Sequence, residues 1–575
     1  MSRGAETKQQ TARKFAGRVS LVIAFFVLSA SALVARAVHL QVFNTDFLNQ
    51  QADSRHLRTD TISAHRGSVT DRNGEPLAIS TPVDSIWANP QELAAAVDRV
   101  PELARVLGVE PDQLTREITR NMNKKFMYIM RHLSPDTADK VLALNLPGVN
   151  SQREYRRYYP AGEVTGHLVG FTDIDELGLE GIELAYNHWL AGVAGSKRVL
   201  KDRLGRAVEN VASIKPPQHG KDLRTSIDLR LQYLAYRTLK GAVRKHKAES
   251  GSIVILDVTT GEVLAMVNQP SYNPNDRSQL VPDRYRNRAI ADIFEPGSSI
   301  KPMIVAAALE SGRYRASSMV DTAPGFVVVG PKKIEDSKNL GRISLTTVLS
   351  RSSNVGITKI AMSLEPDQLW QSMTRFGFGS VTSSGFPGES AGLLTHYSDW
   401  RQINQATIGY GYNVSVTPLQ LAQAYAAIGN DGQIRPISLL ALDEPNENKR
   451  IMDSDTASAV RLMMEEVVGP DGTGQEAGVD GYRVAGKTGT SWKFAPGGYS
   501  EDKYFSIFAG LAPASEPRLA AVVIIDEPTG ALYYGGDVAA PVFSDVMAES
   551  LRMLAVAPDA LPGEASAGVV QAMSQ

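Results

Sequence analysis

At 575 residues, 43% apolar and 21% charged, the chain is long enough for two to four domains of roughly 150 residues and apolar enough to give them cores, which excludes global disorder. Its 60 basic residues against 62 acidic ones leave a net charge of −2, so electrostatics gives no case for nucleic-acid binding. Cysteine is absent, which removes disulfides, thiolate metal sites and cysteine nucleophiles together without identifying a compartment.

The first element is a membrane candidate. Residues 1–18 carry Arg3, Lys8, Arg13, Lys14 and Arg18 against one acid, Glu6, and Val19–Ala35 then runs for 17 residues without a charge. That is about 25 Å of helix, the short end for a span. The basic flank predicts a cytoplasmic tail at 1–18, an anchor at 19–40, and all later residues outside the cytoplasm. Ala35-Arg36-Ala37 resembles a small-residue cleavage site, so a cleaved signal peptide competes. The apolar Val38, Leu40 and Val42 extend the run and favour the anchor.

Residues 55–220 read as mixed in texture, a scaffold or spacer. His65 to Glu75 predicts a strand entering an Asn73-Gly74 hairpin turn. Leu103–Met122, Pro135–Leu144 and Ile182–Leu190 read as helical, and no nucleophile–base pairing stands out. The turn-rich Lys215 to Gly220 marks a boundary. Beyond it come an amphipathic helix, Leu229–His246, and a strand pair, Ser252–Val258 and Glu262–Val267. Helical stretches follow at Ile300–Leu309, Thr347–Met362, Leu419–Ala427 and Ala457–Val468. Strands at Tyr504–Leu511 and Leu519–Asp526 precede a closing helix, Val542–Leu554. Strands at both ends with helices between predict an α+β domain over 221–555, one sheet assembled from distant segments under a helical cover. The Ala-, Gly-, Ser- and Pro-rich residues 556–575 read as a disordered tail.

Chemistry concentrates in that last domain. In Glu295-Pro296-Gly297-Ser298-Ser299-Ile300-Lys301, Ser298 sits at a helix start and Lys301 lies one turn later on the same face. A serine hydroxyl needs a base, and a lysine serves if its pKa falls from about 10.4 towards 7–8, a shift of about 4 kcal/mol supplied by burial and a second cation. Alone this spacing is equally an ordinary helix cap beside a solvated lysine, and Ser500 with Lys503 repeats it. Two further elements change the balance. Ser352-Ser353-Asn354 puts polar groups in an apolar helical stretch, where they need partners or a cleft. Lys487-Thr488-Gly489-Thr490 reads as an edge strand, with Lys487 and Gly489 on one face and Thr488 and Thr490 on the other. A glycine there lets a substrate backbone approach.

In this order the three motifs resemble the penicillin-binding protein and serine β-lactamase superfamily. Ile408 to Gly411 with Val416 to Ala422 extends the resemblance through the transpeptidase domain. Arg66-Gly67, Asp71 to Gly74, Arg157-x-Tyr159-Pro160 and Gly178 to Glu183 are similar to pedestal motifs of class B members, most of all the division-septum type. The resemblance implies that the sheet of 221–555 is antiparallel and that 55–220 is a mixed, β-rich pedestal. It implies too that Ser298 attacks a D-Ala-D-Ala stem peptide with Lys301 as base. Ser352 and Lys487 relay the proton to the leaving amine, and Asn354 holds the substrate amide. Thr488, Gly489 and Thr490 receive the terminal carboxylate, and the N–H groups of Ser298 and Thr490 form the oxyanion hole. Tyr499 and Tyr533 or Tyr534 line the cleft, although ordinary packing explains them equally well.

No carboxylate motif for a deacylating water is recognisable, so β-lactams are expected to acylate Ser298 and stay. No metal or other cofactor is implied. The implied partners are stem peptides, β-lactam inhibitors, an FtsW-like membrane glycan polymerase and other division proteins. An elongation-type transpeptidase, a carboxypeptidase and a non-catalytic division scaffold remain alternatives.

Overall fold

The computed structural model describes residues 3–43, 57–201, 207–278, 281–495 and 497–560, and they form two compact units that interleave along the chain. Residues 1–64, 83–154 and 193–219 make one, and residues 65–82, 155–192 and 220–575 the other. Residues 65–82 and 155–192 of the stretch 55–220 thus fall in the second unit.

The first unit opens with one helix, Arg3–Val38. Gly17–Gln41, which runs from this helix into the following π-helical turn His39–Phe43, has a mean hydropathy of 2.3 and is long and apolar enough to cross a membrane, the only such helix among the described residues. Leu21, Phe25, Phe26, Leu28 and Leu33 are all exposed, as lipid contact requires. A separate antiparallel sheet orders Leu57–Ile62, Gly195–Lys201 and Ala207–Lys215. A small core gathers Leu93, Leu103, Leu107, Leu114, Ile118 and Val141. The single helix expected over Leu103–Met122 is two, Val100–Leu107 and Pro111–Arg120. Gly108 takes a left-handed φ of 69° that ends the first, and Pro111 opens the second.

In the second unit a five-stranded antiparallel sheet runs in the order Val263–Gln269, Ser250–Asp257, Leu519–Asp526, Gly498–Ala512, Ala485–Ala495. Strands Val263–Gln269 and Ser250–Asp257 are buried throughout and Leu519–Asp526 nearly so, because helices cover both faces. Alternation sorts the side chains. Ile253, Ile255, Val523 and Ile525 pack with Leu231, Leu239, Phe543 and Val546 of helices Leu229–Lys245 and Gly535–Met553. Val254, Leu256, Val522 and Ile524 join a larger core containing Ile304, Leu421, Tyr425 and Val460. Ala485–Ala495 is the edge strand, the position the sequence implied.

Segments 65–82 and 155–192 belong to this unit through buried polar chemistry. Arg66 Nε and Arg157 Nε donate to the two oxygens of Glu183 at 2.7 and 2.6 Å, with all three side chains almost wholly buried. Arg66 also donates to Asn187 Oδ1, and Arg157 to Ser80 Oγ. At Asn73-Gly74 the expected turn forms, closed by the Asp71 carboxylate, which accepts from the N–H groups of Asn73 and Glu75.

At the far end, helix Gly535–Met553 starts earlier than its apolar pattern indicated. Val556–Ala560, assigned by composition to a disordered tail, is hydrogen-bonded into the unit. Asp559 accepts from the Arg483 N–H and Ser515 Oγ, and Tyr482 OH donates to the Val556 carbonyl. Residues 561–575 of that tail lie outside the described residues.

Candidate active site

Ser298 lies in a 3-10 turn, Gly297–Ile300, that runs into helix Lys301–Glu310. Pro302 at the start of that helix removes an N–H with no intrahelical partner and fixes a helical φ. Gly297 has a φ of +52°, and its N–H donates to the Gly411 carbonyl at 3.1 Å. Gly411 has no room for a side chain, since a Cβ there would stand 2.0 Å from the Gly297 oxygen. On its other side the turn meets the edge strand, where a Cβ on Gly489 would lie 2.9 Å from the Pro296 carbonyl oxygen. The sequence suggested a substrate backbone approaching this glycine. The backbone that does so is the chain's own.

Lys301 is fully buried, and its Nζ lies 2.6 Å from the Ser352 carbonyl, 3.2 Å from Ser352 Oγ and 2.8 Å from Asn354 Oδ1. Its own N–H bonds the Ser298 carbonyl, closing the 3-10 turn. Burial first, and the ammonium of Lys487 second, hold its pKa well below the ordinary lysine range, while Asp336 opposes them. Lys487, also fully buried, is pushed down to about 7 by loss of solvent.

The helical run expected over Thr347–Met362 is broken at its polar triplet into Leu345–Ser350 and Asn354–Ser363. Ser352 takes a φ of +55°, uncommon for a non-glycine residue, and this kink accompanies the delivery of its carbonyl to Lys301. Ser353 caps the second helix by accepting from the Gly356 N–H at 2.8 Å. Its hydroxyl donates to Asp336 Oδ2 at 2.6 Å. Asp336 Oδ1 also accepts from the N–H groups of Asn354 and Val355 at 2.6 and 3.0 Å. Sequence reasoning missed Asp336. It follows a short hairpin, Phe326–Val329 with Lys332–Glu335, and its only local signal is one acid after an alternating strand.

On the edge strand the expected alternation holds. Thr490 Oγ1 accepts from the Gly535 N–H at 3.0 Å, and a Cβ on Gly536 would lie 3.7 Å from Thr488 Cγ2, so both threonines face the start of helix Gly535–Met553, while Thr488 Oγ1 lies 2.7 Å from Thr473 Oγ1. Lys487 Nζ donates to the Thr488 carbonyl and hydroxyl at 3.1 and 3.2 Å. Tyr499 OH donates to Glu295 Oε1 at 3.0 Å. Tyr533 stacks on Tyr504 with centroids 4.4 Å apart, and its hydroxyl donates to that of Tyr534. The competing pair, Ser500 and Lys503, lies in a strand, where three-residue spacing puts side chains on opposite faces. Lys503 there pairs with Glu527.

Comparison with known proteins identifies the family. The penicillin binding protein transpeptidase domain matches residues 251–548, and the penicillin-binding protein dimerisation domain matches residues 61–225. The chain belongs to the class B penicillin-binding protein family. It is 44% identical over 559 residues to the peptidoglycan D,D-transpeptidase FtsI of Escherichia coli, covering 96% of this chain and 95% of the relative. It is also 44% identical over 544 residues to a probable peptidoglycan D,D-transpeptidase, PbpC, of Pseudomonas aeruginosa, covering 95% and 96%. The crystal structure of penicillin-binding protein 3 from Mycobacterium tuberculosis with aztreonam superposes with a TM-score of 0.68, at 27% identity, over 87% of this chain and 98% of that one.

As a class B penicillin-binding protein, the chain combines an α+β transpeptidase fold with a dimerisation-type region and one N-terminal apolar helix suited to single-pass anchoring. Among the described residues, no group of three His, Cys, Asp or Glu side chains is placed to hold a metal ion.

Proposed function

We propose that this penicillin-binding protein is a peptidoglycan D,D-transpeptidase that crosslinks stem peptides through an acyl-enzyme on Ser298 and is acylated at the same atom by β-lactams. The observation that carries the reading is the buried amine of Lys301, bonded to Ser352 and Asn354 and seated one turn from Ser298. With its pKa lowered, the neutral amine donates to the Ser352 carbonyl and Asn354 Oδ1 and retains a lone pair for a hydroxyl proton. Ser298 Oγ, deprotonated by Lys301, attacks the penultimate D-Ala carbonyl. The N–H groups of Ser298 and Thr490 stabilise the oxyanion, each worth about 3–4 kcal/mol in comparable sites. Ser352 and Lys487 carry the proton to the departing amine, and C–N cleavage releases D-Ala. Asn354 orients the donor amide. Thr488, Gly489 and Thr490, beside the charge of Lys487, receive the terminal carboxylate, with Tyr499, Tyr533 and Tyr534 along the cleft.

In this reading residues 221–555 form the transpeptidase domain and 55–220 the pedestal. The basic 1–18 segment stays in the cytoplasm and the bulk lies in the periplasm. The enzyme works at the division septum with an FtsW-like membrane polymerase and other division proteins, as the FtsI resemblance supports. Incubating full-length protein with defined donor and acceptor stem peptides tests the activity. Crosslinked dimer is expected, and trimmed monomer alone would make the enzyme a carboxypeptidase. Replacing the Val19–Ala35 helix with an unrelated span is expected to abolish midcell recruitment while penicillin binding persists. Normal midcell localisation of that chimera would remove the helix from partner recognition.

A further inference from the structure

Arg351 immediately precedes Ser352, with Cα atoms about 3.8 Å apart, and Asp471 stands two residues before Thr473, within about 7 Å. Ser352 meets Lys301 Nζ through its carbonyl and hydroxyl. Thr473 Oγ1 lies 2.7 Å from Thr488 Oγ1, which accepts from Lys487 Nζ at 3.2 Å. Arg351 Nη2 donates to Asp471 Oδ1 at 2.7 Å, so a continuous chain of contacts runs from Lys301 through this pair to Lys487. The two lysines are fully buried, whereas the Arg351 and Asp471 side chains are 38% and 89% exposed. The pair is thus the part of the chain that a solute meets first.

Neither support of the pair depends on it for shape. The loop carrying Asp471 is closed by its own backbone, with the Gly472 N–H on the Gly469 carbonyl at 2.9 Å and the Gly474 N–H on the Val467 carbonyl at 2.8 Å. The Arg351 N–H bonds the Thr347 carbonyl at 3.0 Å where helix Leu345–Ser350 ends. An exposed ion pair adds little net stability, so a second carboxylate displaces Asp471 at small cost. Asp471 takes one donor of the guanidinium, and the planar fork can hold a carboxylate through two. The site also needs such a cation. Burial pushes Lys487 down to about 7, so near neutral pH it is only partly charged, and Lys301 is lowered too. A guanidinium stays charged throughout this range.

Resting on the transpeptidase reading above, we propose that Arg351 is a specificity residue that draws in and hydrogen-bonds the donor's terminal carboxylate, and that Asp471 is its built-in competitor. In the free enzyme Asp471 occupies the guanidinium. An arriving donor exchanges its own carboxylate for that of Asp471, next to the Thr473–Thr488 hydroxyl pair. The permanent charge on Arg351 supplies attraction that the partly neutral Lys487 does not, and the threonines fix orientation. Removing the two partners therefore has opposite signs. Without Arg351 the attraction is lost, and without the Asp471 charge it is strengthened. A strap that merely held the loop to the helix end would lose activity from either change.

The test uses full-length protein in detergent at pH 7.5 and low salt, with two thioester donors that share one acyl-D-alanyl group. One ends in a carboxylate, as a thioglycolate does, and the other in the corresponding neutral amide. Thiol release gives kcat/KM for each, and their ratio is the preference for the carboxylate. Arg351→Ala is expected to lower that ratio about 5- to 20-fold, and Asp471→Asn to raise it about two- to fivefold, both effects shrinking in high salt. An unchanged ratio in Arg351→Ala, including an equal fall for both donors, would overturn the proposal. So would a ratio that falls in Asp471→Asn. Thermal melts accompany both variants, and Asp471→Asn decides the matter alone if Arg351→Ala does not fold. Failure of both thioesters to acylate wild-type protein, or turnover that survives Ser298→Ala, would instead remove the transpeptidase reading itself.

Discussion

Asp336 accepts from the Asn354 N–H at 2.6 Å, while the Asn354 side chain accepts from Lys301 Nζ at 2.8 Å. One residue thus transmits the position of a carboxylate on a remote hairpin to the amine beside the nucleophile. The same carboxylate holds Ser353 and the first N–H groups of helix Asn354–Ser363, where helix-end charge and hydrogen bonding act together.

Asp336→Asn tests that connection. Asp336 raises the pKa of Lys301 against burial and Lys487. Removing its charge lets that pKa fall further, so the acid limb of β-lactam acylation is expected to move to lower pH. The rate on the plateau should drop roughly 10- to 100-fold, because charged hydrogen bonds of about 1.5–3 kcal/mol that orient Asn354 are weakened. A pH profile of fluorescent penicillin labelling reads both effects. A merely structural role would reduce labelling at every pH and leave the limb where it was.

Lys487 makes the site a stability liability at neutral pH. It titrates near 7 when folded, against about 10.4 in an unfolded chain. Between those values the unfolded state binds a proton that the folded state does not. Stability therefore rises with pH across this window, by up to roughly 1.4 kcal/mol per unit from this group, and is lost as pH falls through it. Lys487→Met is expected to melt above wild type at pH 7, with the difference shrinking towards pH 10, and to lose acylation. Thermal melts of both proteins at the two pH values check it.

Gly411 is the rear wall of the nucleophile turn. Its φ is +87°, and a Cβ would sit 2.0 Å from the Gly297 oxygen. Gly411→Ala should displace that turn and lower stability by at least about 1–3 kcal/mol from backbone strain alone. Penicillin labelling should be lost even in the fraction that remains folded, as native mass spectrometry or circular dichroism beside a labelling assay would show.

Glu183 pairs directly with both Arg66 and Arg157, which are buried with it. Glu183→Ala leaves two buried guanidinium groups without their directly paired carboxylate and is expected to destabilise the protein by about 3–5 kcal/mol, visible as a large fall in Tm. Glu183→Gln, which keeps the hydrogen-bonding shape, should lose less.

What the sequence made legible was local. Apolar runs on either side of a turn located the strand pair Ser252–Val258 and Glu262–Val267. Alternation put Thr488 and Thr490 on one face of an edge strand, and the apolar pattern of Leu229–His246 marked a helix nearly to the residue. Its failures were non-local, with one exception. The break at Ser352 is stabilised by Asp336 and Lys301, both distant in the chain, so an apolar run with three polar residues read as one helix. The two units interleave because Arg66 finds Glu183 across more than a hundred residues, a pairing no window of sequence displays. Asp336 carries no motif of its own. The exception is Gly108, a local helix stop ahead of Pro111 that the periodicity over Leu103–Met122 obscured.

The central claim is that Ser298 Oγ becomes the ester oxygen of the acyl-enzyme. Intact-mass analysis and peptide mapping of full-length protein treated with a β-lactam test it most directly. Stoichiometric addition of one drug mass on the peptide carrying Ser298, absent in Ser298→Ala, is the expected result. An adduct on any other residue, or one that persists in Ser298→Ala, would contradict the account.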